Sequence, residues 1–250
     1  MPRIVTYNVH RCVGNDRRLD VARVADVLAR LKPDIVALQE LDVGRARTGG
    51  VDQAHEIARR LDMAWHFNAA LTVLEERYGD AILTTFPERL VQAAPLPGHP
   101  MIRSLEPRGA LWVEVEIEGR RLQVINTHLG LVPREQQAQA SWLAGPSWLQ
   151  HPRCQGASIL LGDFNATATS VVYRTLVGRM SAARGLSPKK SPTSTFPSAL
   201  PVLRIDHLFV SPQVKVLDVF VPFTPLVRAA SDHLPLVMDF EVVGAAGDQV

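Results

Sequence analysis

Acidic, amide and imidazole side chains recur where short apolar segments of this sequence end. They occur in Thr6-Tyr7-Asn8, Leu38-Gln39-Glu40, Asn126-Thr127-His128, Gly162-Asp163-Phe164-Asn165, Arg204-Ile205-Asp206-His207 and Ser231-Asp232-His233. A single such residue at the end of a strand usually caps a turn. Six of them, all at strand ends, instead predict one polar site at one edge of a sheet.

This set is rich in oxygen ligands, which predicts a site for a hard divalent cation. Carboxylates and amides suit Mg²⁺ or Mn²⁺, whereas Zn²⁺ prefers clusters of histidine and thiolate. The sequence has no His-x-x-x-His or Cys-x-x-Cys spacing, no Gly-x-Ser-x-Gly motif and no P-loop. A hard metal with acid–base groups and no evident nucleophilic side chain favours attack by water on a phosphate ester.

Strand geometry predicts which of these side chains point together. Side chains at positions i and i+2 of a strand lie on the same face. Asp163 and Asn165 should therefore point the same way, as should Asn126 and His128. Two polar groups projecting from the end of a buried strand are costly to desolvate unless something polar lies between them.

The elements that must position these residues alternate along the chain. Short runs rich in Val, Ile and Leu favour strands at Ile4–Val9, Ile35–Leu38, Ala81–Leu83, Leu122–Ile125, Ile159–Leu161, Leu208–Val210 and Leu236–Phe240. Apolar spacing of three and four favours helices at Leu19–Leu31, Gln53–Leu61 and from Arg134 to about Leu143.

One hairpin is predicted in detail. Alternating apolar residues in Leu111–Ile117 are followed by Glu118-Gly119, which turns the chain into Arg121–Ile125. Strict alternation predicts one buried and one solvated face, and hence antiparallel pairing. Some strands have continuous apolar runs and others alternate, and helices lie between them in the sequence. This pattern indicates two sheets packed face to face with the helices outside.

The chain is expected to form one domain over residues 1–243. The Ser-, Pro- and Lys-rich segment Gly185–Val202 leaves about 48 residues after it, too few for a comfortable second domain, so we expect a long surface loop beside the site. The tail at 244–250 is expected to be frayed.

Composition narrows the class of protein. The 250 residues carry a formal net charge of +2, which is no strong signal for nonspecific nucleic-acid binding. The two cysteines form no spaced cluster, no leader peptide is visible, and no apolar run reaches the ~20 residues of a membrane helix. We expect a cytoplasmic protein without an evident obligate protein partner.

The ordered motifs resemble those of the endonuclease/exonuclease/phosphatase superfamily, which includes exonuclease III, deoxyribonuclease I and neutral sphingomyelinases. The matching motifs are Thr-Tyr-Asn-Val-His (6–10), Leu-Gln-Glu (38–40), Tyr-Gly-Asp-Ala-Ile-Leu (78–83), Asn-Thr-His-Leu (126–129), Gly-Asp-Phe-Asn (162–165), Ile-Asp-His-Leu-Phe (205–209) and Ser-Asp-His-Leu-Pro (231–235). The resemblance implies an α/β fold, a four-layer α/β/β/α sandwich of two mixed, largely antiparallel sheets with outer helices.

The resemblance also implies a metal centre. Glu40 would be the principal ligand, Asn8 would lie beside it, and Asp232 would face the metal. The cofactor would be Mg²⁺, with Mn²⁺ as a substitute, and one or two ions would bind.

It further implies the roles of five catalytic residues. Asp163 would orient the attacking water or help to hold a metal, Asn165 would contact the phosphorus oxygens, and His128 would donate to the phosphate. His233 would act as general base or transition-state stabiliser, oriented by Asp206. A carboxylate next to an imidazole fixes its tautomer and raises its affinity for a proton.

Several positions depart from the family pattern or allow two interpretations. Arg77 stands where nucleases carry a tyrosine, Tyr78 is one place late, and Asp80 replaces a frequent asparagine. Arg108 is a candidate phosphate contact or, equally, a solvated arginine at a strand start. His10 would share a strand face with Asn8.

The other histidines are expected to be structural or to lie on the surface. His207 follows Asp206 and should point to the opposite face of its strand.

The predicted function is hydrolysis of a phosphoester, preferably a phosphodiester of a small or lipid-derived substrate. A DNA or RNA nuclease is the enzymatic alternative, which the near-neutral charge and the displaced tyrosine disfavour. A binding module with a decayed site is the third hypothesis, which the presence of both histidines and all the named carboxylates disfavours.

Overall fold

The computed structural model describes residues 1–243; the predicted frayed tail, residues 244–250, lies outside the described residues. The strands are β1 Arg3–Asn8, β2 Ile35–Val43, β3 Ala64–Val73, β4 Glu76–Thr84, β5 Glu88–Pro95, β6 Gly109–Ile117, β7 Arg120–His128, β8 Ala157–Asp163, β9 Ser181–Ala182, β10 Asp206–Val210, β11 Val214–Phe220 and β12 Leu236–Val242. The helices are α1 Val21–Leu31, α2 Gln53–Leu61, α3 Pro133–Leu143, α4 Val171–Val177, α5 Ala183–Leu186 and α6 Pro225–Ala230.

Two six-stranded sheets form the centre of the molecule. The strand orders are β11-β12-β1-β2-β4-β3 and β5-β6-β7-β8-β10-β9. Each sheet has one parallel pair at its centre, β1 with β2 and β7 with β8, and all other neighbours are antiparallel. Carboxyl ends of the parallel strands therefore meet at one edge of each sheet, as the sequence predicts for the polar motifs.

Three apolar clusters separate four layers. Ile4, Ile82 and Leu161 belong to a cluster between the facing sheets. The outer face of the first sheet packs against α1, α2 and α6, and that of the second packs against α3 and α4. This arrangement confirms the predicted α/β/β/α sandwich.

The predicted helices form with small shifts at their ends. Helix α1 begins at Val21 because the Asp20 side chain caps it, accepting a hydrogen bond from Arg23 N at 2.9 Å. It ends at Lys32, which has a left-handed φ of 50° and precedes Pro33. No helix within residues 1–243 has the length and apolarity that crossing a bilayer requires.

The predicted hairpin is confirmed as β6 and β7, and Glu116 on its predicted solvated face is exposed, but the prediction is wrong for Trp112 on that face. Glu118 and Gly119 have φ of 52° and 76°, as a tight two-residue turn requires. Trp112, expected to be solvated, is fully buried, and its Nε1 donates to Gln123 Oε1 at 2.8 Å. The reason is the outer helical layer, which packs Trp148 against Trp112.

Part of the segment Gly185–Val202 is buried, although the sequence predicts a surface loop. It begins within α5 and then runs without a helix or named strand toward β10. Thr195 and Ser198 are fully buried, and Ser198 N donates to Asp232 O at 2.7 Å. The prediction of a loop beside the site is correct, whereas its description as a surface loop is wrong for these residues.

Candidate active site

The face of each sheet that points to the other changes from apolar to polar at one edge. On β1, Ile4 lies in the core between the sheets, and Asn8 lies four residues later on the same face. On the second sheet, His128, Asp163 and Asp206 occupy adjacent register positions on β7, β8 and β10. Their side chains therefore lie side by side, facing the end of β1.

Glu40 reaches this cleft only because β2 contains a bulge. The strand alternation that places Ala37 between the sheets would turn Glu40 toward the helices. The register of β2 against β4 shifts between Leu38 and Leu41, and Glu40 has a φ of 61°. Such a conformation in a non-glycine residue is strained and is typical of functional sites.

A buried amide network supports the bulge. Asn126 Nδ2 donates to Leu38 O and Ala81 O, each at 2.9 Å, and Asn126 Oδ1 accepts from Gln39 Nε2 at 2.7 Å. Asn126, which shares a face with His128 as predicted, therefore joins the two sheets beneath the cleft.

The β4 strand next to the bulge needs glycine at one position. A Cβ atom at Gly79 would lie 1.9 Å from Asn68 O on β3. Tyr78, beside Gly79, is buried, and Arg47 lies over its ring at 5.5 Å. Burial raises the pKa of the Tyr78 phenol, and the nearby Glu40 carboxylate adds to that shift.

Asn8 joins the acidic groups of the two sheets. Its Nδ2 donates to Glu40 Oε1 and to Asp163 Oδ2, both at 3.0 Å. Its Oδ1 accepts from His10 N at 3.1 Å. The first strand of one sheet thereby brings Glu40 and Asp163 to the same side-chain amide, across the cleft from each other.

Burial of the acidic side chains in the cleft disfavours their charged forms. Burial raises the pKa of Asp80 to about 8, with Arg108 opposing the shift and Glu40 adding to it. Burial and the neighbouring Asp206 carboxylate also raise the pKa of Asp163. Burial is the larger cause in both cases, and the neighbouring carboxylates add to it.

His233 and Asp206 form a buried pair. His233 Nδ1 lies 3.0 Å from Asp206 Oδ2, and His233 Nε2 lies 3.6 Å from Asp163 Oδ2. Burial alone would lower the pKa of His233, but the Asp206, Asp163 and Asp232 carboxylates outweigh it and raise that pKa to about 10. The pair thus favours an imidazolium next to Asp163 in the metal-free protein.

Two residues that sequence reasoning missed hold this pair from the long loop. The Thr195 hydroxyl donates to Asp206 Oδ2, the oxygen that also faces His233. The Phe196 ring packs on the His233 imidazole with centroids 4.8 Å apart. A threonine and a phenylalanine in a Ser- and Pro-rich segment carry no signal for this position.

His128 lies between Arg108 and Asn165. Arg108 Nη1 donates to His128 Nδ1 at 3.0 Å, and Asn165 Nδ2 lies 3.0 Å from His128 Nε2. Burial, with Arg108 and His233, holds the pKa of His128 well below its ordinary value. Arg108 is buried, so the interpretation of a solvated strand-start arginine is wrong.

Asp232 and His10 lie together at the margin of the cleft. Asp232 Oδ1 is 3.7 Å from His10 Nδ1 and 3.3 Å from Ser231 Oγ. The prediction that His10 shares a strand face with Asn8 is wrong, because β1 ends at Asn8 and His10 begins a short 3-10 helix with a φ of 45°. The Asp232 side chain is 36% exposed, in contrast to 1% for Asp163 and Asp206.

His207 lies outside the cleft, on the opposite face of β10, as predicted. Its Nε2 lies 2.8 Å from Ala166 O, and its ring packs among Phe164, Tyr173 and Phe209. Burial lowers the pKa of His207 to about 4. Its role is structural.

The donor set of the cleft fits a hard cation. Ligand atoms of Asp163, Asp206 and His233 all lie within 4.8 Å of one another. Asp206 Oδ1 is buried and has no hydrogen-bond partner among the described residues. A divalent ion would stabilise both the buried Asp163 carboxylate, whose pKa is raised, and the unpaired oxygen of Asp206.

Comparisons with known proteins agree with this fold. The protein YbhP of Escherichia coli (strain K12) is 24% identical over 249 residues, covering 94% of each chain. Among solved structures, an endonuclease/exonuclease/phosphatase from Beutenbergia cavernae DSM 12333 is 22% identical, with a TM-score of 0.77 over 98% of this chain and 72% of that one. The mannosyl-6-phosphatase Bt3783 of Bacteroides thetaiotaomicron VPI-5482 is 18% identical, with a TM-score of 0.75 over 96% of this chain and 100% of that one.

A further structure of similar fold is the human Nocturnin catalytic domain with bound sulfate anion. It is 22% identical, with a TM-score of 0.72 over 96% of this chain and 94% of that one. At such identities the solved structures establish the fold alone. The model of the Endonuclease/Exonuclease/phosphatase family matches residues 5–233. The chain therefore belongs to the Endonuclease/Exonuclease/phosphatase family, whose members hydrolyse phosphoesters.

Proposed function

We propose that this protein is a divalent-metal-dependent hydrolase that cleaves a phosphoester, preferentially a phosphodiester of a small or lipid-derived substrate. The observation that carries the proposal is the contact of Asn8 with both Glu40 and Asp163 next to the His233–Asp206 pair. Acidic ligands, a histidine with its carboxylate and neutral N–H donors meet in one cleft. That combination suits attack by water on phosphorus.

The metal site of the proposal consists of Glu40, Asn8 and Asp232, with Asp163 beside them. The oxygen-rich donor set favours Mg²⁺, with Mn²⁺ as a substitute, and either one or two ions. Bound there, the ion would neutralise charge on the phosphoryl oxygens. The raised pKa values of Asp80 and Asp163 support a cation at this position, because burial and neighbouring carboxylates disfavour their charged forms and a bound cation would offset that cost.

His233 and Asp163 are the proposed acid–base groups. Asp206 holds His233 with Nδ1 toward its carboxylate, so that Nε2 faces Asp163. Asp163 lies where it can orient a water molecule, since its Oδ1 accepts from Asn165 N at 2.8 Å and its Oδ2 accepts from Asn8. As the imidazolium, His233 would stabilise the charge that develops as water attacks phosphorus; it would take the proton of that water only where a bound cation had lowered its raised pKa.

The phosphoryl group is the proposed ligand of His128 and Asn165. His128 Nε2 and Asn165 Nδ2 lie 3.0 Å apart at the same side of Asp163. Neutral N–H donors of this kind stabilise the charge that develops on a phosphoryl oxygen. Arg108 lies behind His128, so its charge contributes at a distance.

The substrate preference rests on charge and on Tyr78. A net charge of +2 provides little electrostatic attraction to a nucleic-acid backbone. Tyr78 is buried beneath Arg47 and so is not free to contact a polymer. The unpaired, buried thiols of Cys12 and Cys154 support the cytoplasm as the proposed location.

A substrate panel tests the proposal. Purified protein is assayed on bis(4-nitrophenyl) phosphate, a glycerophosphodiester, a sugar 6-phosphate and supercoiled DNA, each with Mg²⁺ and with excess chelator. We expect Mg²⁺-dependent hydrolysis that is greatest for a small diester and absent from His233→Ala. DNA nicking above every other activity would favour a nuclease, and no hydrolysis of any substrate would favour a binding module.

A further inference from the structure

An N–H donor lies beside each ring nitrogen of His128, but a neutral imidazole can accept a hydrogen bond at only one of them. Arg108 Nη1 lies 3.0 Å from Nδ1, and Asn165 Nδ2 lies 3.0 Å from Nε2. A neutral imidazole has one accepting and one donating nitrogen. In one of the two contacts, therefore, two N–H groups face each other. The chemistry of Arg108 and Asn165 identifies which contact this is.

The Arg108 contact fixes Nδ1 as the acceptor. A guanidinium has only donors and stays protonated in proteins. Arg108 Nη1 carries two hydrogens, and its second partner is Glu106 Oε1 at 2.9 Å. Because Nδ1 accepts from Arg108, the hydrogen of the neutral ring must lie on Nε2.

The Asn165 amide is oriented by the backbone. Its Nδ2 donates to Leu129 O at 3.0 Å, and a carbonyl oxygen requires a donor. Reversing the amide would place its oxygen against the Leu129 carbonyl. The second Nδ2 hydrogen therefore points toward His128 Nε2–H, leaving two donors that face each other.

An anionic oxygen would satisfy both donors. Asp163 Oδ2 lies 3.5 Å from His128 Nε2 and already accepts from Asn8 Nδ2 at 3.0 Å. One phosphoryl oxygen placed between His128 and Asn165 would accept from both. Preorganised donors aimed at developing charge are the usual source of such stabilisation.

We infer that Arg108 is a positioning residue: it fixes His128 as the Nε2–H tautomer, so that His128 and Asn165 donate to the same phosphoryl oxygen. Arg108 acts through His128 and does not itself contact the substrate. The role in turnover rests on the proposed function, whereas the tautomer is a property of the free protein.

The tautomer is measured directly by ¹⁵N NMR of histidine-labelled protein, with the His128 signals assigned by their loss in His128→Ala. We expect Nε2–H in the wild type and in Arg108→Lys, which keeps a donor, and a mixture of tautomers in Arg108→Met. A wild-type ring with its hydrogen on Nδ1 would overturn the inference. Because this measurement uses unaltered protein, misfolding of a variant cannot obscure it.

Kinetics test whether Arg108 acts through His128. With the best substrate of the panel, Arg108→Met should lower kcat by about 10²-fold with little change in KM, and Arg108→Lys should recover most of the loss. Arg103→Met, an exposed arginine of the same connection, should have no effect. In a His128→Ala background, Arg108→Met should cost less than threefold; a full second loss would contradict positioning through His128.

The two proposals fail in different ways. A protein that hydrolyses no phosphoester but holds His128 as Nε2–H would refute the proposed function alone. A protein that hydrolyses diesters with His128 as Nδ1–H would refute the positioning role of Arg108 alone.

Discussion

His233 Nδ1 lies 3.0 Å from Asp206 Oδ2, and both side chains are buried beneath the loop that carries Thr195 and Phe196. Asp206 therefore sets both the orientation and the charge of the imidazole. The three carboxylates around His233 raise its pKa although burial opposes this. The pair is held from both the sheet and the loop.

Asp206→Asn tests this pair. The amide keeps the size of the side chain but removes the charge and can present its N–H₂ to His233, favouring the wrong tautomer. By analogy with the Ser-His-Asp triad, where the same change costs about 10⁴ in kcat, we expect a loss of about 10²–10⁴ in kcat. Steady-state kinetics measures it, and Asp62→Asn, at an exposed left-handed helix end, should retain full activity. Retention of more than a tenth of kcat would refute the orienting role.

Glu40→Gln tests the metal site through stability. The side chain keeps its size and an acceptor for Asn8 Nδ2 but loses its charge beside Asp80 and Asp163. We expect an unchanged or slightly higher Tm without metal, because repulsion between carboxylates is relieved. Mg²⁺ should raise the Tm of the wild type but not of the variant, since only a protein that binds the ion gains stability from it.

Thermal unfolding monitored by circular dichroism, with and without Mg²⁺, measures both effects. Glu75→Gln, on the exposed turn between β3 and β4, provides the matched control and should behave as the wild type. An equal Mg²⁺-dependent rise in Tm for Glu40→Gln would remove Glu40 from the metal site.

Asn126→Leu tests whether the bulge is held from the second sheet. It leaves the Leu38 and Ala81 carbonyls and the Gln39 amide without their buried partners. We expect a loss of roughly 2–4 kcal/mol in the free energy of unfolding and a large loss of kcat, because the backbone that carries Glu40 is released.

Gln123→Leu, on the same strand, separates the two effects. Gln123 accepts from Trp112 and donates to Glu114, away from the cleft. Urea unfolding should show destabilisation of this variant too, but its kcat should stay within twofold of the wild type. If both variants lost activity equally, the loss would reflect stability alone and the bulge argument would fail.

His207 predicts an acid-dependent loss of stability. The folded protein holds it neutral, with a pKa of about 4, because it is buried, whereas the unfolded chain protonates it near pH 6.5. Between these values the unfolded state binds the extra proton, so this contribution is complete above pH 6.5 and is lost as the pH falls toward 4. This shift in pKa corresponds to about 3 kcal/mol of folding free energy.

Urea unfolding from pH 7.5 to 4.5 measures this contribution as the difference between the wild type and His207→Phe. The wild type should lose more stability on acidification than the variant does. Parallel curves for the two proteins would show that His207 titrates normally.

Strand alternation predicted much of the cleft. Asn8 and Asp163 continue the face of their strands that lies between the sheets, and His128 lies two residues beyond Asn126 on the same face. For such residues the apolar pattern alone gives the direction of the side chain. The four layers were predicted from the family resemblance of the ordered motifs, in agreement with the pattern of strands and helices.

Glu40 shows why alternation was insufficient. Its direction depends on a bulge whose partners, Asn126 and Ala81, lie in other strands and, for Asn126, in the other sheet. Trp112 was misplaced because the depth of its burial depends on Trp148 in the helical layer. The partners of Thr195 and Phe196 are likewise set by a long loop, and a local pattern contains no information about contacts of that kind.

Metal dependence through Glu40 is tested by the initial rate of bis(4-nitrophenyl) phosphate hydrolysis while Mg²⁺ is titrated into metal-free enzyme. The wild-type rate should rise to saturation and return to background with excess chelator, whereas the Glu40→Ala rate should stay at background at every Mg²⁺ concentration. A wild-type rate that does not respond to Mg²⁺ or to chelator, or a Glu40→Ala titration that matches the wild type, would contradict metal dependence through Glu40.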